Sequence, residues 1–189
     1  MTINFSEIIS NAKSVLFAPA SFWVSRKERS ESNIRLFAGY FLPLLFIEAG
    51  AVFLGELFNS SHFYALFAVF RTLIELILFA TFYFIGCYFI GRLMKTFGGV
   101  VDSKAARQLI AYSMTPVLLV STITGLFPFI YPATILGVYS FYIFWIGAKE
   151  LAKVPEPNKE RYIIVTLLVN FFIFTFLNIF LHKLLMAFY

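Results

Sequence analysis

Three ionisable side chains, Glu48, Arg71 and Glu75, each lie well inside a long apolar stretch of this chain. Burying one such group in a bilayer costs at least about 2.5 kcal/mol, so all three are expected to pair or to face a cavity. Arg71 and Glu75 are four residues apart and share one face of a helix. Glu48 precedes a short polar turn by about nine residues and Arg71 follows it by about eight, which sets them at similar depth. Two arrangements satisfy these constraints. In one, Arg71 neutralises one or both glutamates and ties two helices together. In the other, the three line a polar pocket for a lipid head group, an ion or a proton, because two acids against one base leave negative charge in surplus.

A second polar group opens another apolar run: Tyr112, Ser113 and Thr115 stand just ahead of Pro116. Proline has no N–H to offer the carbonyl of Tyr112, so a helix through this stretch carries an unfilled acceptor beside two hydroxyls. Either neighbouring hydroxyls repair the kink, or the stretch forms an acceptor site beside Arg107 and Gln108 that suits a phospholipid phosphate. Asn170, Asn178 and His182 share one side of the last apolar stretch and are expected to join helices by hydrogen bonds. His62, His182 and Glu56 have no tight ligand spacing, so no metal is expected. No Ser–His–Asp ordering, glycine-rich phosphate loop or His-Glu-x-x-His helix is present, and neither catalysis nor a cofactor is expected.

The elements that must position these groups are membrane helices. Of 189 residues 60% are hydrophobic and only 13% charged, too apolar a balance for a soluble domain. The fold class is therefore an all-α membrane protein with five transmembrane helices and an N-terminal interfacial amphipathic helix. That first helix opens at Asn4, with Glu7 as the reciprocal acid of the cap, and carries Phe5, Ile8, Ile9, Ala12 and Leu16 at helical spacing. Opposite lie Ser6, Glu7, Ser10, Asn11 and Lys13, so the helix suits the membrane interface or, alternatively, a protein surface. Pro19 ends it, and Phe22 and Trp23 are expected as interfacial anchors before a basic linker. The spans are expected at 33–57, 64–92 and 108–125, then a fourth that leaves an apolar turn at 126–132 and ends near 151, then 162–181. Residues 1–30 thus form a cytoplasmic helix and linker, and residues 31–189 the membrane domain. Lone Cys87 excludes an intramolecular disulfide.

Thirteen of the fifteen basic residues fall on one side of these spans, with Arg71 inside a span and Lys183 on the other side. The positive-inside rule then places the N-terminus in the cytoplasm and the C-terminus outside, as an odd number of spans requires. That side carries thirteen bases against seven acids, which favours anionic lipid head groups. Topology accounts for the basic surplus, so no nucleic-acid partner is expected.

Ala111-Tyr112-Ser113-Met114-Thr115-Pro116 entering a span, Phe127-Pro128-Phe129 at the next turn, Tyr139 and Tyr142 beyond it, and Lys153-Val154-Pro155 after that make residues 98–155 resemble the Yip1 family. Pro19 followed by Phe22-Trp23 is similar too. The resemblance implies five spans, a cytoplasmic N-terminus and a non-enzymatic role in organising lipid or protein partners. Eukaryotic members act in vesicle traffic between endoplasmic reticulum and Golgi, with Rab-type GTPases and with one another. This chain has an N-terminal segment of only about thirty residues ahead of its spans and lacks an Asp-Leu-Tyr-Gly-Pro motif, so it looks like the short bacterial branch. It is accordingly expected in a bacterial inner membrane, with lipids and a homo-oligomer or another membrane protein as partners. The alternative function is a small transporter or lipid translocator using the buried Glu/Arg cluster.

Overall fold

A computed structural model describes residues 4–27, 33–59 and 63–187. Among the described residues, five helical stretches are long and apolar enough to cross a membrane: Ile34–Asn59, Ala65–Thr96, Ser103–Leu126, Pro128–Leu151 and Glu156–Ala187. Two shorter helices, α1 (Phe5–Phe17) and α2 (Pro19–Lys27), precede them. No strand occurs among the described residues.

The Asn4 side chain accepts the Glu7 N–H at 3.3 Å and starts α1, as the cap pattern predicts. Residues Ile8, Ala12 and Val15 are buried, while Phe5 and Ile9 are exposed and Leu16 is half-buried. The helix is docked onto its own bundle. Arg35 Nη2 donates to Glu7 at 3.0 Å, Arg26 Nη2 to Asn11 at 2.6 Å, and the Tyr139 hydroxyl to the Leu16 carbonyl at 2.8 Å. Part of the polar face expected to meet water therefore holds the helix to the protein.

Pro19 opens α2 rather than a linker, because proline is tolerated where a helix begins. This turns Phe22 and Trp23 inward, and the expected interfacial anchors are core residues, 5% and 0% exposed. Trp23 Nε1 donates to the Ile143 carbonyl at 3.0 Å, and its ring lies against Gly147, where a Cβ would approach the indole within 2.5 Å. Ile143 and Gly147 belong to α8 (Tyr139–Leu151). The membrane-anchor assignment fails for Ile8, Phe22 and Trp23 because the bundle supplies a drier surface than the interface does.

The first span begins as α3 (Asn33–Leu36), widens to a π-helix at Phe37–Phe41, and continues as α4 (Leu42–Asn59). Pro43 sits in its first turn. The wider turn, with Leu42 N–H reaching the Phe37 carbonyl, accommodates the proline without breaking the span. The second, α5 (Ala65–Thr96), extends about 48 Å and outreaches a hydrocarbon core of about 30 Å. Gly98, at φ +83°, turns the chain out of it.

The third span divides into α6 (Ser103–Ser113) and α7 (Thr115–Leu126). Asp102 caps α6 by accepting the Lys104 and Ala105 N–H groups at 3.0 Å each, and meets Lys153 Nζ at 2.8 Å. Burial pushes the Asp102 carboxyl up, but Lys153 and the two N–H groups outweigh it and hold the group below the ordinary carboxylate range. A depressed folded-state value gives stability that is present above the unfolded value and lost as pH falls through the folded one. Asp102→Asn, which keeps a capping oxygen but loses the charge, should flatten the acid limb of thermal stability below about pH 4. Asp102→Ala should in addition cost about 1 kcal/mol at neutral pH, read from thermal unfolding in detergent.

The fourth stretch starts as a 3₁₀ helix, Pro128–Val138, none of whose residues is buried, and becomes α8. The expected apolar turn at 126–132 thus contracts to Phe127, and the chain is helical again from Pro128. Finally, α9 (Glu156–Ala187) runs beside α5.

Candidate functional site

A partly open cavity of about 670 Å³ lies between α4, α5, α6, α7, the 3₁₀ helix, α8 and α9. Glu48 enters it from α4, Arg71 and Glu75 from α5, and Asn170, Asn178 and His182 from α9. The structure therefore brings the three charged candidates into one lining, although their pairing differs from the expected one. Arg71 bonds Glu56, a residue of α4 in the turn nearest the loop. Glu75 Oε1 lies 3.6 Å from His182 Nε2. Neither glutamate expected to meet Arg71 makes a salt bridge with it among the described residues. Arg71 reaches Glu56 because the short connection brings the ends of α4 and α5 together.

His182 Nδ1 is 3.0 Å from the Asn178 carbonyl, so that nitrogen carries the donor proton. Nε2 then bears a proton only when the ring is charged. The ionisable groups of the lining are thus Arg71, bonded to Glu56 outside it, Glu75 beside His182, and Glu48. Glu48 is 0% exposed, and neither carboxyl oxygen has a hydrogen-bond partner among the described residues. Such a group is expensive to bury as an anion.

Two further cavity-lining atoms repeat the pattern. Asn170 donates its amide to the Thr166 carbonyl at 2.8 Å, but its Oδ1 and the Ser140 Oγ have no partner among the described residues. Both residues are 7% exposed. Around the opening, by contrast, Tyr131, Val138, Phe141 and Phe171 line the cavity and are exposed. Buried polar atoms of Glu48, Ser140 and Asn170 thus sit among buried apolar side chains such as Leu78 and Phe79, while apolar side chains are exposed at the opening.

The Tyr112–Pro116 stretch divides between packing and site. Breaking the helix at Met114 moves Pro116 from a helix interior to the first turn of α7, where its missing N–H leaves no gap. Tyr112 is 1% exposed and packs on Phe22, Trp23 and Tyr40, with the Arg26 guanidinium 5.0 Å from its ring centre. Thr115 Oγ1 bonds the Tyr40 hydroxyl at 2.8 Å, and the Ser113 hydroxyl donates to the Leu109 carbonyl. Of this stretch Ser113 and Met114 line the cavity, whereas Tyr112, Thr115 and Pro116 are core. Gln108 is buried and Arg107 half-buried, and neither belongs to the cavity.

No group of three or more His, Cys, Asp or Glu able to hold a metal occurs among the described residues; His62 lies outside them. Sequence reasoning missed Glu56 as the partner of Arg71, and missed Ser140 altogether. The position of Glu56 three residues before the end of α4 is the signal that identifies it, since only the terminal turn reaches an arginine near the start of α5.

The family model of the Yip1 domain matches residues 13–177. No curated protein and no solved structure matches the chain.

Proposed function

The chain belongs to the Yip1 domain family, and from that premise we propose that it is a non-enzymatic integral membrane protein that binds lipid within the plane of the membrane and so organises its partners there. One observation carries the reading: a cavity whose mouth is apolar and exposed and whose interior ends on an unpartnered carboxyl. An amphiphile matches both ends of such a site, with acyl chain at the mouth and polar head inside. Exposed Phe5 and Ile9 on α1 and the basic surplus support a lipid-facing cytoplasmic side in a bacterial inner membrane, with the C-terminus outside. Homo-oligomers or another membrane protein are the further partners proposed.

The reading is tested by native mass spectrometry of the protein released from mild detergent. Wild type should retain phospholipid adducts. Ser121→Phe, which puts a ring into the cavity from α7, should reduce them by about tenfold, the loss expected for about 1.4 kcal/mol. Ile123→Phe, on the exposed side of the same helix, should leave them unchanged. Equal retention by wild type and Ser121→Phe would remove the proposal.

The unpartnered Glu48 also favours a second reading, a lipid translocator in which the carboxyl meets the head group in transit. Lipid flux in proteoliposomes that is absent, or indifferent to Glu48→Gln and Glu75→Gln, would eliminate it.

A further inference from the structure

We propose that the cavity selects a phospholipid with a primary ammonium head, an aminophospholipid of the ethanolamine type, and that Glu48 accepts the ammonium N–H groups. The inference rests on the lipid-binding reading and adds the identity of the head group. Its basis is an imbalance in hydrogen-bonding capacity. Among the described residues, the buried atoms of the lining without a hydrogen-bond partner are two carboxyl oxygens on Glu48, the amide oxygen of Asn170 and the hydroxyl of Ser140. Beside a bound cation Glu48 is held ionised, three of these four atoms then only accept, and the partner that fills them is a donor.

The protein's own cations in the lining are already committed. Arg71 bonds Glu56, and His182 faces Glu75. An ammonium brings three N–H donors and a positive charge to a site short of both. A trimethylammonium brings the charge without any donor and leaves the acceptors unfilled. That difference predicts discrimination between ethanolamine and choline heads carried on identical chains.

The neighbouring phosphodiester also has a place. Arg71 is in the same lining, and one-third of its side chain remains exposed. A zwitterion with its ammonium at Glu48 and its phosphate toward Arg71 is matched in the order of its charges. The chains leave past Val138, Phe141 and Phe171, which are exposed at the mouth. A free soluble amine would fill the acceptors but leave that apolar opening uncovered, which favours the lipid.

Delipidated protein in detergent, titrated with phosphatidylethanolamine and with phosphatidylcholine of the same acyl chains, tests this by native mass spectrometry. Wild type should retain the ethanolamine lipid about tenfold better, with stepwise loss across the mono- and dimethylated heads. In Glu48→Gln, which is isosteric, the preference for the ethanolamine lipid over the choline lipid should vanish. Equal retention of both lipids by wild type, or a preference that survives Glu48→Gln, overturns the inference and leaves lipid binding standing. Retention of neither lipid by wild type overturns both. The comparison within wild type needs no variant to fold.

Discussion

Replacing Gly55 with alanine is expected to cost about 3 kcal/mol or more and to lower the thermal midpoint in detergent by several degrees, at the upper end of what overpacking produces. A Cβ at Gly55 would stand 1.8 Å from the Gly125 carbonyl oxygen and 2.8 Å from its carbon, both backbone atoms that no rotamer change can move. Helices α4 and α7 touch here through their main chains, as small residues permit in membranes. The added methyl must push the two apart. Gly125 and Val52 also line the cavity, so separating the helices widens it and should reduce lipid retention as well as stability. Gly50 provides the contrast on the same helix. Nothing lies within 4 Å of a Cβ there, and Gly50→Ala should be neutral or stabilise by about 0.5–1 kcal/mol through reduced backbone freedom.

Trp23→Ala should cost about 3–5 kcal/mol, the range for emptying a buried aromatic site. The indole contacts Tyr112 and Phe22 edge-on at 5.9 and 5.4 Å and satisfies its N–H on Ile143, so its loss uncouples α2 from both α6 and α8. An interfacial anchor would behave differently, since its removal leaves no hole in the bundle. The two cases also separate by fluorescence. Trp145 is the other tryptophan of the chain, and in a Trp145→Phe background dibrominated lipids should leave Trp23 emission nearly unquenched. Strong quenching would place Trp23 in contact with lipid and contradict the packing.

The five spans were readable because long apolar blocks are dictated by bilayer thickness, which acts on each segment separately. Pro43, Pro19 and Pro116 show where that reading fails in detail. A proline announces an irregularity, but whether the chain answers with a π turn, a fresh helix or a break depends on what packs beside it. Trp23 is the clearest case. Its amphipathic ring suits an interface equally well, and only the gap at Gly147 and the carbonyl of Ile143 draw it inside. The charged cluster was legible as a group, because Glu48, Arg71 and Glu75 share a depth. Its pairing was not, since Glu56 and His182 approach from helix ends whose rotation a sequence leaves open. The orphaned acceptors of Asn170 and Ser140 arise only when α8 and α9 are placed around the same space.

The central claim is that lipid occupies the cavity rather than only surrounding the protein. Photo-crosslinking with a phospholipid bearing a diazirine on its acyl chain, followed by peptide mapping, tests it most directly. The account predicts adducts concentrated on the cavity-lining Val117, Phe141 and Phe171, and reduced there by Ser121→Phe. Exposed Phe172, Phe176 and Phe180, which lie outside the cavity lining, should carry only the background of bulk lipid and be indifferent to that variant. Adducts spread evenly over both sets, unchanged by filling the cavity, would contradict it.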